Sequence, residues 1–145
     1  MRFFLGVEVS HNANGINVCQ KKYAREVLDF GIEVFKGTLV FGLFYRRTVS
    51  KLLAYSDSDC ARDVGRKSTS GYVFLLSEAA VCWTSQKQAI VTLSSTEAEY
   101  VAATLCAFHC VWVKGVLEHI GVKNCECIDI VFVTTVHQSS SLKIL

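Results

Sequence analysis

Ser94-Ser95-Thr96-Glu97-Ala98-Glu99-Tyr100-Val101-Ala102-Ala103 opens the longest helical period in the chain. A serine followed three residues later by a glutamate is the capping-box pattern. The hydroxyl takes an orphan amide of the first turn, and the carboxylate reaches back to the serine's own amide. From there Glu99, Ala103, Cys106, Cys110, Val113 and Leu117 recur at helical spacing as one stripe, and Gly121 supplies a stop. Leu105, Phe108, Val111 and Trp112 make the other faces apolar too, so this helix requires cover on more than one side.

Strand patterns flank the helix. Leu52 to Asp57, Gly71 to Leu76 and Val81 to Ser85 precede it, the last two joined by the turn Ser77-Glu78-Ala79-Ala80. Cys127 to Val133 follows it. Three antiparallel strands, a long helix and a further strand form an α+β order. Further upstream, Leu39 to Tyr45 reads as a strand bounded by Gly37 and broken at Gly42. Phe3 to Val9 and Ile16 to Cys19 read as a β-hairpin, with Asn14-Gly15 as the positive-φ residues of the reversal. Lys21 to Phe30 reads as a short helix that Gly31 can stop.

Composition bounds the function classes. A chain of 145 residues, 51% hydrophobic, can bury one core. A net charge of +2 does not advertise nucleic-acid binding, and the basic pairs Lys21-Lys22, Arg46-Arg47 and Arg66-Lys67 read as solvated faces. Seven cysteines without a signal-peptide pattern read as reduced thiols of an intracellular protein. No segment is expected to approach the ~18 apolar residues of a membrane span. The absence of proline hints at missing connecting segments.

Two acidic clusters carry the chemistry: Tyr55-Ser56-Asp57-Ser58-Asp59 and the helix start with Glu99. An acid ending a strand and another opening a helix after two further strands can meet at one divalent metal. Spacing leaves an alternative open. Asp57, Asp59 and Asp63 can be turn acids, and Glu99 a residue complementing the helix dipole. Cys106, His109, Cys110, Cys125 and Cys127 offer a zinc module, but Cys106 and Cys110 lie on the inward stripe and read as core thiols.

Four strings in order, Ser56-Asp57-x-Asp59, Arg66-Lys-Ser-Thr-Ser-Gly-Tyr72, Trp83-x-Ser-x-Lys-Gln88 and Leu93-Ser-Ser-Thr-Glu-Ala-Glu-Tyr100, resemble the ribonuclease H domain of copia-type retrotransposon Pol polyproteins. The resemblance covers roughly residues 37 to 122. It implies an incomplete ribonuclease H-like α+β fold and Mg²⁺-dependent hydrolysis of RNA in RNA–DNA hybrids, with no membrane partner. It also implies a two-ion Mg²⁺ site, ions ~3.5–4 Å apart, held by four acids. Carried onto this sequence, the first acid is Asp57 and the second Glu99. Glu97 lies about 200° away around the helix and is assigned to the cap.

Residues 1–36 resemble a hairpin and helix of the reverse transcriptase part of the same polyprotein. Its polymerase aspartates have no counterpart here, so no polymerase activity is expected. Residues 37–132 form the partial ribonuclease H-like segment. After the helix the resemblance requires Cys-Asp-Asn, with the third acid at the place of Thr134. The sequence has no acid beyond Asp129, which would lie ~17 Å away on the other side of a strand. Shifting the reading frame near Phe132 can restore Cys-Asp-Asn, which makes residues 133–145 an out-of-frame tail. The expectation is a catalytically impaired remnant; the alternative is a non-catalytic nucleic-acid- or protein-binding remnant.

Overall fold

The computed structural model describes residues 2–4, 6–29, 37, 39, 41–47, 51–60, 66–122, 128–132 and 140–144. The fold is α+β, with two helices and two sheets among these residues. The chain groups into two compact units, 1–48 with 77–79, and 49–76 with 80–145.

The first unit is a four-stranded antiparallel sheet in the order β1 (Arg2–Phe4), β2 (Val7–Asn12), β3 (Gly15–Cys19) and β4 (Gly42–Arg46), with helix α1 (Lys21–Asp29) after β3. The expected single strand from Phe3 to Val9 is instead two. Phe4 pairs with Val7 across a tight reversal, and Gly6 takes φ +77°, a value open to glycine at no steric cost. The reversal of the next hairpin also differs from expectation. Asn12 pairs with Gly15, so Ala13 and Asn14 form the turn and neither Asn14 nor Gly15 has a positive φ.

Asn12 builds this turn by accepting the amide of Asn14 on its side chain at 3.1 Å. Gly15 is needed for a different reason. A Cβ there would stand 2.1 Å from the carbonyl oxygen of Tyr45, on the paired strand β4. Gly42, expected to break a strand from Leu39 to Tyr45, instead begins β4 and pairs with Cys19. Buried Glu8 ties β2 to α1: one carboxylate oxygen accepts the Lys22 amide at 3.3 Å, the other the Cys19 thiol at 4.0 Å. The predicted stop at Gly31 lies outside the described residues.

The second unit is built on β5 (Leu52–Asp59), β6 (Thr69–Leu76), β7 (Ala79–Lys87), α2 (Ser95–His119), β8 (Ile128–Phe132) and β9 (Ser140–Ile144). The strand order is β7-β6-β5-β8-β9. β6 is antiparallel to β5, whereas β8 is parallel to it, so the chain crosses over through α2. The β6–β7 reversal needs only Ser77 and Glu78, at φ 51° and 68°. That backbone fits the twist of a two-residue hairpin better than the four-residue turn expected. Residues 140–144, read as tail, pair antiparallel with β8, because backbone hydrogen bonding at an open edge does not depend on side-chain identity.

Leu52, Ala54, Phe74, Ile128 and Ile130 face Cys106, Cys110, Val113 and Leu117 of α2 and form the core. The helix stripe begins one residue earlier than expected, with Ala98 and Ala102 buried and Glu99 and Ala103 at its border. Gly121, at φ +87°, closes the helix: its amide donates to the Glu118 carbonyl at 3.1 Å and that of Val122 to Leu117 at 2.9 Å. The opposite side exposes Tyr100, Phe108, Val111 and Trp112. Contrary to expectation, α2 is long and apolar enough to cross a membrane by length and composition. Its inward stripe nevertheless packs on the sheet.

Candidate active site

Alternation along β5 decides what its carboxyl-terminal end presents. Leu52, Ala54 and Ser56 are buried beneath α2, and Asp57 and Asp59 occupy the alternate, exposed positions. Asp57 is paired with Gly71, which places no side chain beside it, and its Oδ1 accepts the Ser58 amide at 2.8 Å. Glu99 is half-buried near the start of α2.

The cap that positions this helix start is partly as expected. The Glu97 amide donates to the Ser94 hydroxyl at 3.1 Å. The Glu97 carboxylate accepts the amide of Leu93 at 2.7 Å, where the capping box would have it take that of Ser94. The glutamate therefore fixes the chain entering the helix, one residue before the cap.

A series of polar contacts joins the two acidic segments. Ser58, next to Asp57, pairs with Ser70 on β6. The Ser70 hydroxyl accepts Gln88 Nε2 at 2.8 Å, and the same nitrogen donates to the carbonyl of Ala98, next to Glu99, at 2.9 Å. Alongside, Ser68 and Thr92 share a hydroxyl–hydroxyl hydrogen bond of 2.8 Å, and the Gln88 amide donates to the Ser68 carbonyl at 2.9 Å. Asp57 and Glu99 thus belong to segments drawn to the same end of the sheet. Ser68, Ser70, Gln88 and Thr92 are all buried, and none was singled out as functional from sequence. Their signal was Ser68 and Ser70 two apart on one face, ahead of an apolar strand.

β8 also points its carboxyl-terminal end to this place, with Phe132 beside Ser56 in the parallel register. The position expected to carry the third acid lies beyond it, outside the described residues, and the sequence there reads Val133-Thr134. Asp129 sits beside Leu53 and forms an ion pair with Lys51. Among the described residues no three His, Cys, Asp or Glu side chains group as metal ligands. Mg²⁺ requires near-octahedral oxygen coordination, and a two-ion clamp requires several convergent carboxylates. The described residues do not fit a two-ion site.

Nor do the described cysteines group as zinc ligands, and Cys106 and Cys110 lie in the buried stripe of α2. Burial, with a contribution from Cys110, pushes the Cys106 thiol up to about 12, and burial pushes Cys110 up to about 11 against the opposing pull of Lys114. Both remain neutral core thiols, as expected. Cys125 and Cys127 lie outside the described residues.

No family model and no solved structure matches the chain. It is 46% identical over 83 residues to the secreted RxLR effector protein 161 of Plasmopara viticola, covering 56% of this chain and 58% of that protein. It is 36% identical over 102 residues to the retrovirus-related Pol polyprotein from transposon TNT 1-94 of Nicotiana tabacum, covering 70% of this chain and 8% of the polyprotein. The polyprotein from transposon RE2 of Arabidopsis thaliana is 36% identical over 89 residues, which are 60% of this chain and 6% of its own length. The chain is therefore a relative of transposon-encoded polyproteins. More particularly, it is homologous to the Pol polyproteins of copia-type retrotransposons. It spans less than two thirds of each of these relatives.

Proposed function

We propose that the chain is the remnant of a copia-type ribonuclease H domain. Its ancestral reaction would be Mg²⁺-dependent hydrolysis of RNA in RNA–DNA hybrids inside the cell. The observation that carries this reading is that the end of β5 and the start of α2, the segments holding Asp57 and Glu99, are tied together through Ser58, Ser70, Gln88 and Ala98, with the end of β8 beside Ser56. Two-ion phosphodiester cleavage needs carboxylates that converge, and these elements bring two acidic segments to one end of the sheet. Asp57 and Glu99 would be its surviving metal ligands. Thr134 stands at the place where the resemblance requires the third acid, so the remnant would be catalytically impaired.

A second reading, a non-catalytic module binding nucleic acid or protein, is favoured by one observation. Among the described residues no three His, Cys, Asp or Glu side chains group as metal ligands, and Asp129 is held in an ion pair with Lys51. One experiment separates the two. The purified chain is incubated with an RNA–DNA hybrid and with duplex DNA, in Mg²⁺ and in chelator. Slow Mg²⁺-dependent cleavage of the RNA strand, lost in Asp57→Asn and Glu99→Gln, supports the enzyme remnant. Hybrid binding without cleavage supports the second reading. Failure to distinguish hybrid from duplex DNA, in binding and cleavage alike, would sink the ribonuclease H assignment.

A further inference from the structure

We infer that Gln88 is a positioning residue: its carboxamide latches the start of α2 to β6 and so sets Glu99 relative to Asp57. The inference rests on reading those two acids as one site.

Gln88 is 1% exposed, a rare place for a carboxamide unless its hydrogen bonds are used. Its Nε2 donates both to a sheet hydroxyl, Ser70 Oγ, and to a helix carbonyl, Ala98 O. Its backbone amide is fixed to Ser68, so the side chain springs from a held base. Gln88 Oε1 has no hydrogen-bond partner among the described residues, so the latch works through its donors alone. Small Ala98 and Ala102 provide little side-chain packing at this end of the helix, whereas Cys106 to Leu117 interlock with the core. The first turns therefore depend on polar contacts for their placement. Ser70 pairs with Ser58, so the latch spans the distance from the residue after Asp57 to the residue before Glu99 with one side chain.

The test uses the full chain, uniformly labelled, with amide exchange read residue by residue. In Gln88→Met, which keeps length and apolar bulk, amides from Ala98 to Ala103 are expected to exchange about tenfold faster, while those from Val113 to Leu117 are unchanged. Gln88→Glu, which keeps shape but leaves at most the single donor of a neutral carboxyl in place of two, should accelerate the same amides less than Gln88→Met. Ser70→Ala should shift the same amides less, and Thr92→Val, which breaks only the neighbouring hydroxyl pair, should leave them alone. Unchanged exchange in Gln88→Met, or uniform acceleration along α2, would each overturn the latch.

A second readout concerns the site. Added Mn²⁺ should broaden the amides of Ser58 and Tyr100 together in the parent, and in Gln88→Met broaden Ser58 while Tyr100 recovers. Broadening of neither in the parent overturns the reading of the two acids as one site, and amide exchange still decides the latch. Joint broadening that persists unchanged in Gln88→Met overturns the positioning role.

Discussion

Phe132 stands beside Ser56 in the parallel register of β5 and β8, so the crossover strand arrives one residue short of the level of Asp57. The described part of β8 ends at that level, and the sequence that follows, Val133-Thr134, carries no acid at the place where the resemblance requires one. Returning an acid tests this directly. Thr134→Asp is expected to tighten Mn²⁺ binding about tenfold by adding a carboxylate oxygen to the donor set, as measured by titration calorimetry. Unaltered affinity would remove β8 from the site.

Ser94 caps α2 through the Glu97 amide, and Ser94→Ala should lower the unfolding free energy by ~1 kcal/mol in chemical denaturation. Glu97→Ala should release the amide of Leu93 without breaking that cap. The two losses are expected to differ, with serine the larger. A larger loss from Glu97→Ala would indicate that the entry segment, not the cap, holds the helix start.

Two glycines on paired strands should respond oppositely to the same methyl group. At Gly15 a Cβ meets the Tyr45 carbonyl at 2.1 Å, so Gly15→Ala must push β3 from β4 and is expected to cost ~1–3 kcal/mol. At Gly71 the nearest atom is the Thr84 carbonyl at 3.6 Å, an ordinary contact, and alanine there should be tolerated within ~0.5 kcal/mol. Thermal melts of the two variants provide the comparison.

Cys106 and Cys110 lead to a pH prediction. Their folded values, about 12 and about 11, lie above the ordinary 9.0, so the unfolded chain loses these protons first. The folded state then binds more protons than the unfolded one, and stability falls as pH rises. The stabilisation is complete below pH 9 and is lost as pH climbs towards 12. Near pH 8 both buried thiols should resist alkylation while Cys82, which is partly exposed, reacts. Mass spectrometry after iodoacetamide treatment reads the order of labelling.

Element identity in the second unit was legible because its signals are local. Alternation marks β5 and β6, a serine-capped apolar period marks α2, and Gly121 marks its end. What sequence concealed depends on partners distant along the chain. Gly15 resembles a turn glycine until β4 is known to pass within reach of it. Spacing assigns Glu99 to the inward stripe, yet the sheet meets the helix one residue round, at Ala98. Gln88 looks like a surface residue after a lysine, since only the folded helix brings the Ala98 carbonyl to it. Asp57 and Glu99 could be named as a pair, but the contacts connecting their segments involve residues with no charge to draw notice.

The 25 residues of α2 extend ~37 Å, more than the ~30 Å of a bilayer's hydrocarbon, and its outer side is apolar where the sheet does not reach. Only its inward stripe is covered, by β5, β6 and β8, so detachment from the sheet would join that stripe to the outer side as one continuous apolar surface. A core change such as Phe74→Ala, at ~3–5 kcal/mol, should then appear as self-association in light scattering as well as lost folded protein.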